Sequence, residues 1–378
     1  MSVRLRPSAA SRWLACPGSV LLSENVPEES SESFYTREGT HAHTLAALLA
    51  DRQQGKISEA AYEEAKVVWT AEGEAAGFDT VEITEYITDV YLPFLMEAVT
   101  PATIMYVERE LDAGVGGIAG TGDAVLLQPD TGVVHVIDLK YGKGVYVSAV
   151  GNPQLRLYGL GALRLADVLG GFDQVWMTIV QPRLGNITTE RLTVTELLAW
   201  RDEVVVPGVE ATKAAVPTLN PGPVQCRWCP AAGMCQARAD QMLARERFFE
   251  ASVLDDAALA SIVGELADVR IWCDQIEAEA LTRANRGHLP GWKVVRSGSR
   301  RSISDGAAAI AALVAAGYPL DAVQRVQVET LGRLERLVGK ANLLTLLGDL
   351  IVKSEGTKSL APEDDPRPAA TDIEEDFA

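Results

Sequence analysis

The sequence lacks long apolar runs, and no stretch reaches the roughly 18 consecutive apolar residues that a membrane-spanning helix requires. The first residues, M-S-V-R-L-R-P-S, also lack the apolar segment of a secretory signal peptide. Hydrophobic residues nevertheless make up 47% of the chain and charged residues 23%, which is typical of a globular protein. We therefore expect a folded cytoplasmic protein without a membrane partner, and 378 residues are enough for two or three domains.

Cysteine is scarce, with five residues in the chain, which excludes a disulfide framework as the main source of stability. Four of the five have a distinctive spacing. Cys16 stands alone, and C-R-W-C-P-A-A-G-M-C places Cys226, Cys229 and Cys235 in one short segment. Thiolates at such spacing bind zinc or an iron–sulfur cluster. The fifth, Cys273, lies in an apparent helix and is expected to be a core thiol.

Positive charge is also in deficit, because 34 Lys and Arg stand against 52 Asp and Glu and give a net charge of −18. Part of this excess lies in residues 354–378, which carry eight acidic and two basic side chains and are predicted to be a disordered acidic tail. The remainder still argues against broad, non-specific coating of DNA. Any contact with nucleic acid must then rely on a local basic lining, divalent cations or a partner protein.

The order of predicted elements indicates an α/β protein with a mixed sheet flanked by helices and a mostly helical C-terminal region. A turn at 129–132 joins two of the strands, and Asn152 with Pro153 begins a helix as cap and first residue. In chain order we expect helices at 36–52 and within 57–99, strands at 103–111, 122–128 and 133–140, a helix from 153, a strand at 174–182, helices at 193–214 and 236–287, a short strand at 291–296, and helices at 304–316 and 329–352.

The predicted hairpin brings two aspartates and a lysine together. A turn at 129–132 pairs residues whose numbers sum to 261, so Asp123 and Asp138 should face each other on adjacent strands. Lys140 lies two residues beyond Asp138 and therefore on the same face. Opposed carboxylates repel each other, and a divalent cation between them would turn this repulsion into a binding site. The alternative is an exposed hairpin end with ordinary surface charges.

Four short motifs carry a resemblance to a known family. G-T-G-D at 120–123 and I-D-L-K at 137–140 resemble the motif pair of the PD-(D/E)XK nuclease superfamily. G-T-H-A-H at 39–43 and Q-L-R-L-Y at 154–158 resemble the flanking motifs of its RecB-like branch, which includes AddB and the CRISPR-associated RecB-like iron–sulfur exonucleases. Each motif alone is weak, but all four occur in the family order. The resemblance implies a restriction-endonuclease-like core.

The resemblance also implies a set of metal ligands. His43, Asp123 and Asp138 would bind Mg²⁺ or Mn²⁺, and the carbonyl of Leu139 would be a further ligand. His41 is an alternative to His43, because both histidines lie in the same helical segment.

Three further residues would act beside the metal. Lys140 would position or activate the attacking water and offset phosphate charge. Gln154 and Tyr158, one helical turn apart, would hold Lys140 or the nucleic-acid backbone. Glu108 or Glu110 on the preceding strand could supply an outer carboxylate.

The cysteine pattern fits the cubane site of the same nucleases, in which one cysteine precedes the core and three follow it. The resemblance therefore implies a structural [4Fe–4S] cluster, an iron–sulfur staple that fastens the two ends of the core, with zinc as the alternative. On this interpretation residues 1–240 form the nuclease domain, residues 241–353 a helical accessory region, and residues 354–378 the acidic tail.

The sequence as a whole also resembles an uncharacterised RecB-like family encoded by phages and prophages, through V-I-D-L-K-Y-G-K-G-V and N-P-Q-L-R-L-Y. We therefore expect a metal-dependent DNA exonuclease that acts on DNA ends or single strands in phage replication or recombination, in the host cytoplasm and with phage recombination proteins as possible partners. The alternatives are a catalytically silent nucleic-acid-binding or scaffold protein of the same fold, and a zinc-stabilised structural protein.

Overall fold

The computed structural model describes most of the chain in two compact units, Met1–Val294 and Val295–Ala378. The first unit contains the sheet, and the second contains short helices. The predicted tail at 354–378 and parts of the predicted accessory region at 241–353 lie outside the described residues. The residues that the structure describes are 5–24, 26, 33–244, 256–287, 289–295, 306–317, 319–323, 334, 338–347 and 350–351.

The core is a five-stranded mixed sheet whose spatial order follows the chain. The first three strands form an antiparallel meander, the third and fourth pair in parallel, and the last two are antiparallel. The prediction of a mixed sheet flanked by helices is confirmed. The strands are β1 (Ile104–Asp112), β2 (Ala119–Gln128), β3 (Val133–Leu139), β4 (Gln174–Gln181) and β5 (Asn186–Thr193).

The β2–β3 hairpin has the predicted register. Ala124 pairs with Ile137 and Gln128 with Val133, so paired residue numbers sum to 261. The turn between these strands needs a glycine, because Gly132 has a φ of 68°. β3 is buried along its whole length, which explains its continuous apolar sequence between β2 and β4.

One face of the sheet is covered by a helical layer that begins with α3 (Phe34–Gln53). Side chains of Leu45 and Leu49 on α3 pack with Leu126 and Ile137 of the sheet in a buried cluster. Ser33 and Asp79 cap helices of this layer with their side chains. The elements are α3 (Phe34–Gln53), α4 (Glu59–Ala75), α5 (Thr80–Tyr86), a π-helical turn at Ile87–Tyr91, and α6 (Leu92–Glu97).

The other face is covered mainly by α7 (Pro153–Ala166). As predicted, Asn152 caps this helix, and its side chain accepts hydrogen bonds from the amides of Gln154 and Leu155 at 3.0 and 3.3 Å. Smaller helices surround α7 on this side. They are a 3-10 turn at Pro7–Ala9, α1 (Ala10–Ala15), α2 (Gly18–Glu24), α8 (Val194–Trp200), a π-helical turn at Arg201–Val205, and α9 (Val206–Thr212).

The segment with three cysteines is built from short helices and is covered by one long helix. The prediction of helices within 236–287 is confirmed over the described residues. In chain order the elements are α10 (Pro223–Arg227), a 3-10 turn at Ala232–Met234, α11 (Gln236–Leu243), α12 (Asp256–Asn285), and in the second unit α13 (Gly306–Ala315), α14 (Leu320–Val323) and α15 (Lys340–Leu347).

Two details of the sequence prediction are wrong. No strand was predicted at β5 (Asn186–Thr193), which follows a 3-10 turn at Pro182–Leu184 and pairs with the whole of β4. The predicted strand at 291–296 is absent over its described part, 291–295, where the chain forms a turn and irregular backbone with exposed side chains. Within the ranges that the structure describes, no helix has the length and apolar character needed to cross a lipid bilayer.

Candidate functional site

The two predicted aspartates lie at one end of the β2–β3 hairpin. The Ala124–Ile137 pair is the last of the ladder at this end, and Asp123 and Asp138 occupy the next positions on the two strands. The amide of Leu139 donates a hydrogen bond of 2.7 Å to Oδ2 of Asp123. The hairpin register thus places both carboxylates at the same edge of the sheet.

A histidine and a second carboxylate approach Asp123. Nδ1 of His43, on α3, lies 3.2 Å from Oδ1 of Asp123. Glu108 lies on β1 between the pairs that this strand makes with β2, and therefore beside Asp123. One ligand atom from each of His43, Glu108 and Asp123 lies within 4.8 Å of the others. These three side chains could hold a metal ion, whereas Glu110 pairs with Thr121 on an exposed part of β1.

Asp138 is engaged by the predicted lysine. Nζ of Lys140 lies 2.7 Å from Oδ2 of Asp138, and the Asp138 residue is only 2% exposed. The backbone amide of Lys140 donates to the carbonyl of Val180 at 2.8 Å, which continues the parallel pairing of β3 with β4 beyond Leu139. The lysine is therefore fixed at the end of a buried strand, directly against one of the two aspartates.

The two aspartates have pKa values shifted in opposite directions. Burial raises the pKa of Asp138, and this effect outweighs the opposing charge of Lys140. Burial acts in the same sense on Asp123, but the charges of His43 and Lys140 and the amide of Leu139 outweigh it and lower the pKa of Asp123. Two adjacent carboxyl groups with divergent pKa values are typical of a functional site.

The remaining titratable groups respond to the same charges. Burial and the neighbouring Asp123 raise the pKa of Glu108 to about 7, although part of the side chain is exposed. Burial alone would lower the pKa of His43, but the charge of Asp123 outweighs it and raises this pKa. In the same way, burial opposes protonation of Lys140, and Asp138 and Asp123 reverse the effect and raise the pKa of Lys140.

Glu108 also has an unusual backbone conformation. Its φ of 47° lies in the left-handed region, and it is the one non-glycine residue with positive φ in the described part of the chain. A glutamate costs about 1 kcal/mol or more in this conformation, and such strain is concentrated at functional sites. The strained position is the one that faces Asp123.

The structure separates the two candidate histidines. The ring of His41 stacks on Trp69 with 4.4 Å between centroids, and its carbonyl accepts a hydrogen bond of 2.9 Å from the indole of Trp69. Burial lowers the pKa of His41. His41 therefore packs within the helical layer, and His43 is the histidine that contacts Asp123.

The predicted glutamine and tyrosine form one hydrogen-bonded pair on α7. Nε2 of Gln154 donates to the hydroxyl of Tyr158 at 3.3 Å, and Tyr158 is buried. Burial raises the pKa of Tyr158, and the charges of Asp138 and Lys140 act on it as well. α7 thus brings this pair to the side of the sheet edge where Lys140 lies.

A buried ion-pair network that the sequence analysis missed supports the site. Arg183 donates to Glu38 on α3 at 2.8 Å and to Glu82 on α5 at 2.9 Å. Its guanidinium also lies 4.7 Å from the ring centre of Tyr141, the residue after Lys140. The network joins α3, the helix that carries His43, to α5, to the turn after β4 and to the residue that follows Lys140. No local pattern in the sequence indicates these three partners.

The four cysteines of the distinctive spacing meet at one small cavity. Cys16, Cys226, Cys229 and Cys235 all line it. Two backbone amides point at the sulfurs: Asn220 donates to Sγ of Cys16 at 3.2 Å, and the amide of Gly222 donates to Sγ of Cys226 at 3.3 Å. The other predicted thiol, Cys273, is exposed on α12, and so the expectation of a core position is wrong.

The long helix α12 packs on the cysteine segment, which the sequence analysis also missed. Arg238 follows the last cysteine, is fully buried, and forms an ion pair with Asp268 of α12. Gln275 of α12 donates to the carbonyl of Cys226 at 2.9 Å. Gly233 allows this close approach, because a Cβ there would lie 2.4 Å from the carbonyl oxygen of Gln275. The helix therefore closes over the cysteine loop.

The chain is similar to a solved structure and to a protein family. A solved structure described as the crystal structure of SSO0001 is similar over 60% of this chain and 96% of its own length, with 15% sequence identity and a TM-score of 0.22. A family model described as a protein of unknown function matches residues 3–368. Because this match extends over nearly the whole sequence, the chain belongs to the DUF2800 family.

Proposed function

We propose that this protein is a metal-dependent DNA nuclease of the RecB-like branch, with a restriction-endonuclease-like core, that hydrolyses phosphodiester bonds at DNA ends or in single strands. The observation that carries the proposal is the convergence of Asp123, Asp138, Lys140 and His43 at one sheet edge. These residues come from three of the four motifs that occur in the order of that branch. A protein that only binds nucleic acid has no need of two adjacent carboxylates, which repel each other.

The donor atoms suit a divalent cation. Ligands about 2.1 Å from a magnesium ion are at most about 4.2 Å apart, and the group of His43, Glu108 and Asp123 is almost that compact, within 4.8 Å. These three residues would hold Mg²⁺ or Mn²⁺, with Asp138 and the carbonyl of Leu139 as further ligands. When bound, the cation supplies a Lewis acid for the phosphoryl oxygen and lowers the pKa of water.

The protein's own residues define the other roles. Lys140 would position or activate the attacking water and, as an ammonium group, offset phosphate charge. Asp138 holds this ammonium at 2.7 Å. The Gln154–Tyr158 pair of α7 would hold Lys140 or the nucleic-acid backbone.

We also propose that the four cysteines bind a structural [4Fe–4S] cluster. Their sulfurs line one cavity, and amide donors to sulfur are a feature that stabilises cluster thiolates. One lone cysteine and a C-x2-C-x5-C segment differ from the two local C-x-x-C pairs of common structural zinc sites. The cluster would join the ends of the sheet domain and would not transfer electrons to the reaction. Zinc is the alternative occupant.

The nuclease proposal is tested by a Mn²⁺-dependent digestion assay on single-stranded and double-stranded DNA. Asp138→Ala and Lys140→Ala should each reduce the rate at least about a hundredfold. Asp112→Ala is the matched control, because Asp112 is an exposed carboxylate on β1 whose ion-pair partner is Arg164. Equal digestion by the wild type and both site variants would remove the proposed active site.

The cluster proposal is tested by anaerobic purification with measurement of the visible spectrum and of iron, sulfide and zinc. Cys226→Ala should lose the iron and sulfide, whereas Cys273→Ala should keep them, because Cys273 is exposed outside the cavity. Stoichiometric zinc without sulfide in the wild type would overturn the cluster and favour the zinc-stabilised alternative.

A second candidate function is a catalytically silent nucleic-acid-binding or scaffold protein of the same fold. The net charge of −18 favours the scaffold form of this alternative, because nucleic-acid binding of any kind gains from a basic surface. The two functions differ in the digestion assay, since the silent protein leaves DNA uncut in Mn²⁺.

A further inference from the structure

The segment that follows β3 has an unusual charge balance. Residues 139–166 contain no Asp or Glu, although the chain as a whole carries a net charge of −18. Arg156 and Arg164 in this segment form ion pairs with Glu190 and Asp112. Lys143, in contrast, is exposed on the loop between β3 and α7, three residues beyond Lys140. The loop therefore offers an anion a locally favourable place on an acidic protein.

An aromatic ring is presented to solvent on the same loop. Tyr146 is 62% exposed, yet the peptide groups on both sides of it are held. Gln181 donates to the carbonyl of Val145 at 3.0 Å and accepts from the amide of Val147 at 2.8 Å. Asn186 donates to the carbonyl of Val147 at 2.9 Å. The backbone that carries the ring is thus fixed, and the ring itself is left in water.

The residues that hold the loop are buried. Gln181 is 1% exposed. Its side-chain amide forms hydrogen bonds with the loop, and Asn186 donates a further hydrogen bond of 2.7 Å to its side-chain oxygen. Burying polar groups costs free energy unless they are hydrogen-bonded, so this pair specifies one loop conformation. Gln181 directly follows Val180, the partner of Leu139, and the loop therefore starts at the sheet edge that carries Asp138.

The loop also leaves space around its lysine. Lys143 lies between Gly142 and Gly144, and a Cβ at either glycine would meet no described atom within 4 Å. Bare backbone beside an exposed lysine allows close approach of a phosphate chain. An exposed ring, an exposed cation and open backbone within five residues are the elements of a single-strand binding surface.

We propose that Tyr146 and Lys143 form a platform for single-stranded nucleic acid, on which Tyr146 stacks with one base and Lys143 binds a phosphate. The proposal rests on the proposed nuclease function, and it gives that function a substrate class: single strands and frayed ends in preference to intact duplex. A base in a duplex is already stacked on its neighbours, so the ring gains nothing from it unless the end opens. The interaction is tolerant of sequence, because every base has a face that can stack.

The test measures binding without cleavage, in buffer with EDTA, to a fluorescent single-stranded oligonucleotide and to the same strand made of abasic nucleotides. Wild-type protein should bind the intact strand about tenfold more tightly than the abasic strand, which is the value of one base stacked on an aromatic ring. Tyr146→Ala should lose this ratio, and Tyr146→Phe should keep it. Lys143→Gln should weaken binding to both strands alike and reduce the dependence of affinity on salt.

Trp292→Ala is the control, since Trp292 is 77% exposed on a different segment and should leave the ratio unchanged. An intact-to-abasic ratio near one in the wild type, or equal ratios in wild type and Tyr146→Ala, would overturn the platform, including the case in which the ring docks a protein partner. Because the measurement needs no hydrolysis, it separates this failure from failure of the nuclease proposal. If the wild type does not digest DNA but keeps the tenfold preference for the intact strand over the abasic strand, only the nuclease proposal is overturned.

Discussion

Arg183 donates a hydrogen bond of 2.8 Å to Oε2 of Glu38, although the two residues are 145 positions apart in the sequence. The bond joins the turn after β4 to α3, the helix that presents His43 to Asp123. Both side chains are at most 10% exposed, so the pair lies in a region of low effective dielectric. Its geometry therefore contributes to the position of the histidine as well as to stability.

Removal of the positive charge of Arg183 should destabilise the fold strongly. We expect Arg183→Met to lower the free energy of unfolding by about 3–5 kcal/mol, because Glu38 would remain buried without a partner. Urea unfolding measures the loss, and Arg183→Met combined with Glu38→Gln should recover part of it. Arg201→Met is the control, because the Arg201–Asp202 pair is largely exposed and should contribute less than about 1 kcal/mol. Equal effects of the two single variants would contradict the network.

Two helical glycines should respond in opposite directions to alanine. A Cβ at Gly161 of α7 would lie 2.8 Å from Cβ of Leu111 and 3.1 Å from its carbonyl carbon, so Gly161→Ala must push the helix away from β1. We expect a loss of about 1–3 kcal/mol. At Gly264 of α12 a Cβ meets no described atom within 4 Å, and Gly264→Ala should stabilise by about 0.5–1 kcal/mol. Thermal unfolding of both variants distinguishes the signs.

A buried histidine should make stability depend on pH. Burial and the charge of Arg191 lower the pKa of His135 to about 4, and its ring shares a hydrogen bond of 2.8 Å with Thr178. The folded pKa lies below the unfolded value of about 6.5, so the unfolded chain binds the proton first as the pH falls. This group should therefore cost up to about 3 kcal/mol between pH 6.5 and pH 4, and nothing above that window.

The measurement is urea unfolding of wild type and His135→Gln at about pH 7.5, 5.5 and 4.5. These values lie above and within the pH range that separates the unfolded pKa from the folded pKa. The difference in unfolding free energy between the two proteins should shift in favour of the variant as the pH falls. A difference that stays constant would mean that His135 does not resist protonation.

The strained glutamate can be tested through its backbone. At the φ of 47° of residue 108, glycine is free of the penalty that other residues carry. Glu108→Gly should therefore be more stable than Glu108→Ala by about 1 kcal/mol, in contrast to ordinary strand positions, where alanine is the more stable residue. The same exchange at Arg109, its neighbour on β1, is the control and should have the opposite sign.

Metal affinity should follow the three-residue group beside Asp123. We expect His43→Ala and Asp123→Asn each to weaken Mn²⁺ binding at least about tenfold, since the loss of a ligand costs no less than the loss of its outer support. Electron paramagnetic resonance of free Mn²⁺ measures the affinity. Asp112→Asn should bind as the wild type does, and unaltered affinity in both site variants would place the cation elsewhere.

The sequence was most informative where local rules determine geometry. The turn at 129–132 defined the pairing of β2 with β3, and Asn152 with Pro153 defined the start of α7. It was least informative at β5, whose inward positions include Thr188 and Glu190 instead of apolar residues. These side chains accept hydrogen bonds from the amides of the loop before α7, so a tertiary role replaced the alternation that identifies a strand.

Contacts between distant segments could not be derived from local patterns. The ion pair of Arg238 with Asp268 places α12 on the cysteine loop, but neither residue differs in context from a solvent-exposed helical charge. The same holds for Arg183, which follows Pro182 in a polar turn and gives no sign of burial. Residue spacing within one segment could be interpreted from the sequence, whereas contacts between distant segments could not be predicted from it.

The position of Cys16 has a consequence for the order of folding. Its sulfur accepts a hydrogen bond from Asn220, 204 residues further along, and all five strands lie between the two. Closing so long a loop in an unfolded chain is entropically expensive, and the sheet shortens the path by bringing both ends to one side first. A ligand that needs all four sulfurs must therefore join late, after the strands have paired. Occupancy of that cavity would report on chains that have completed their fold.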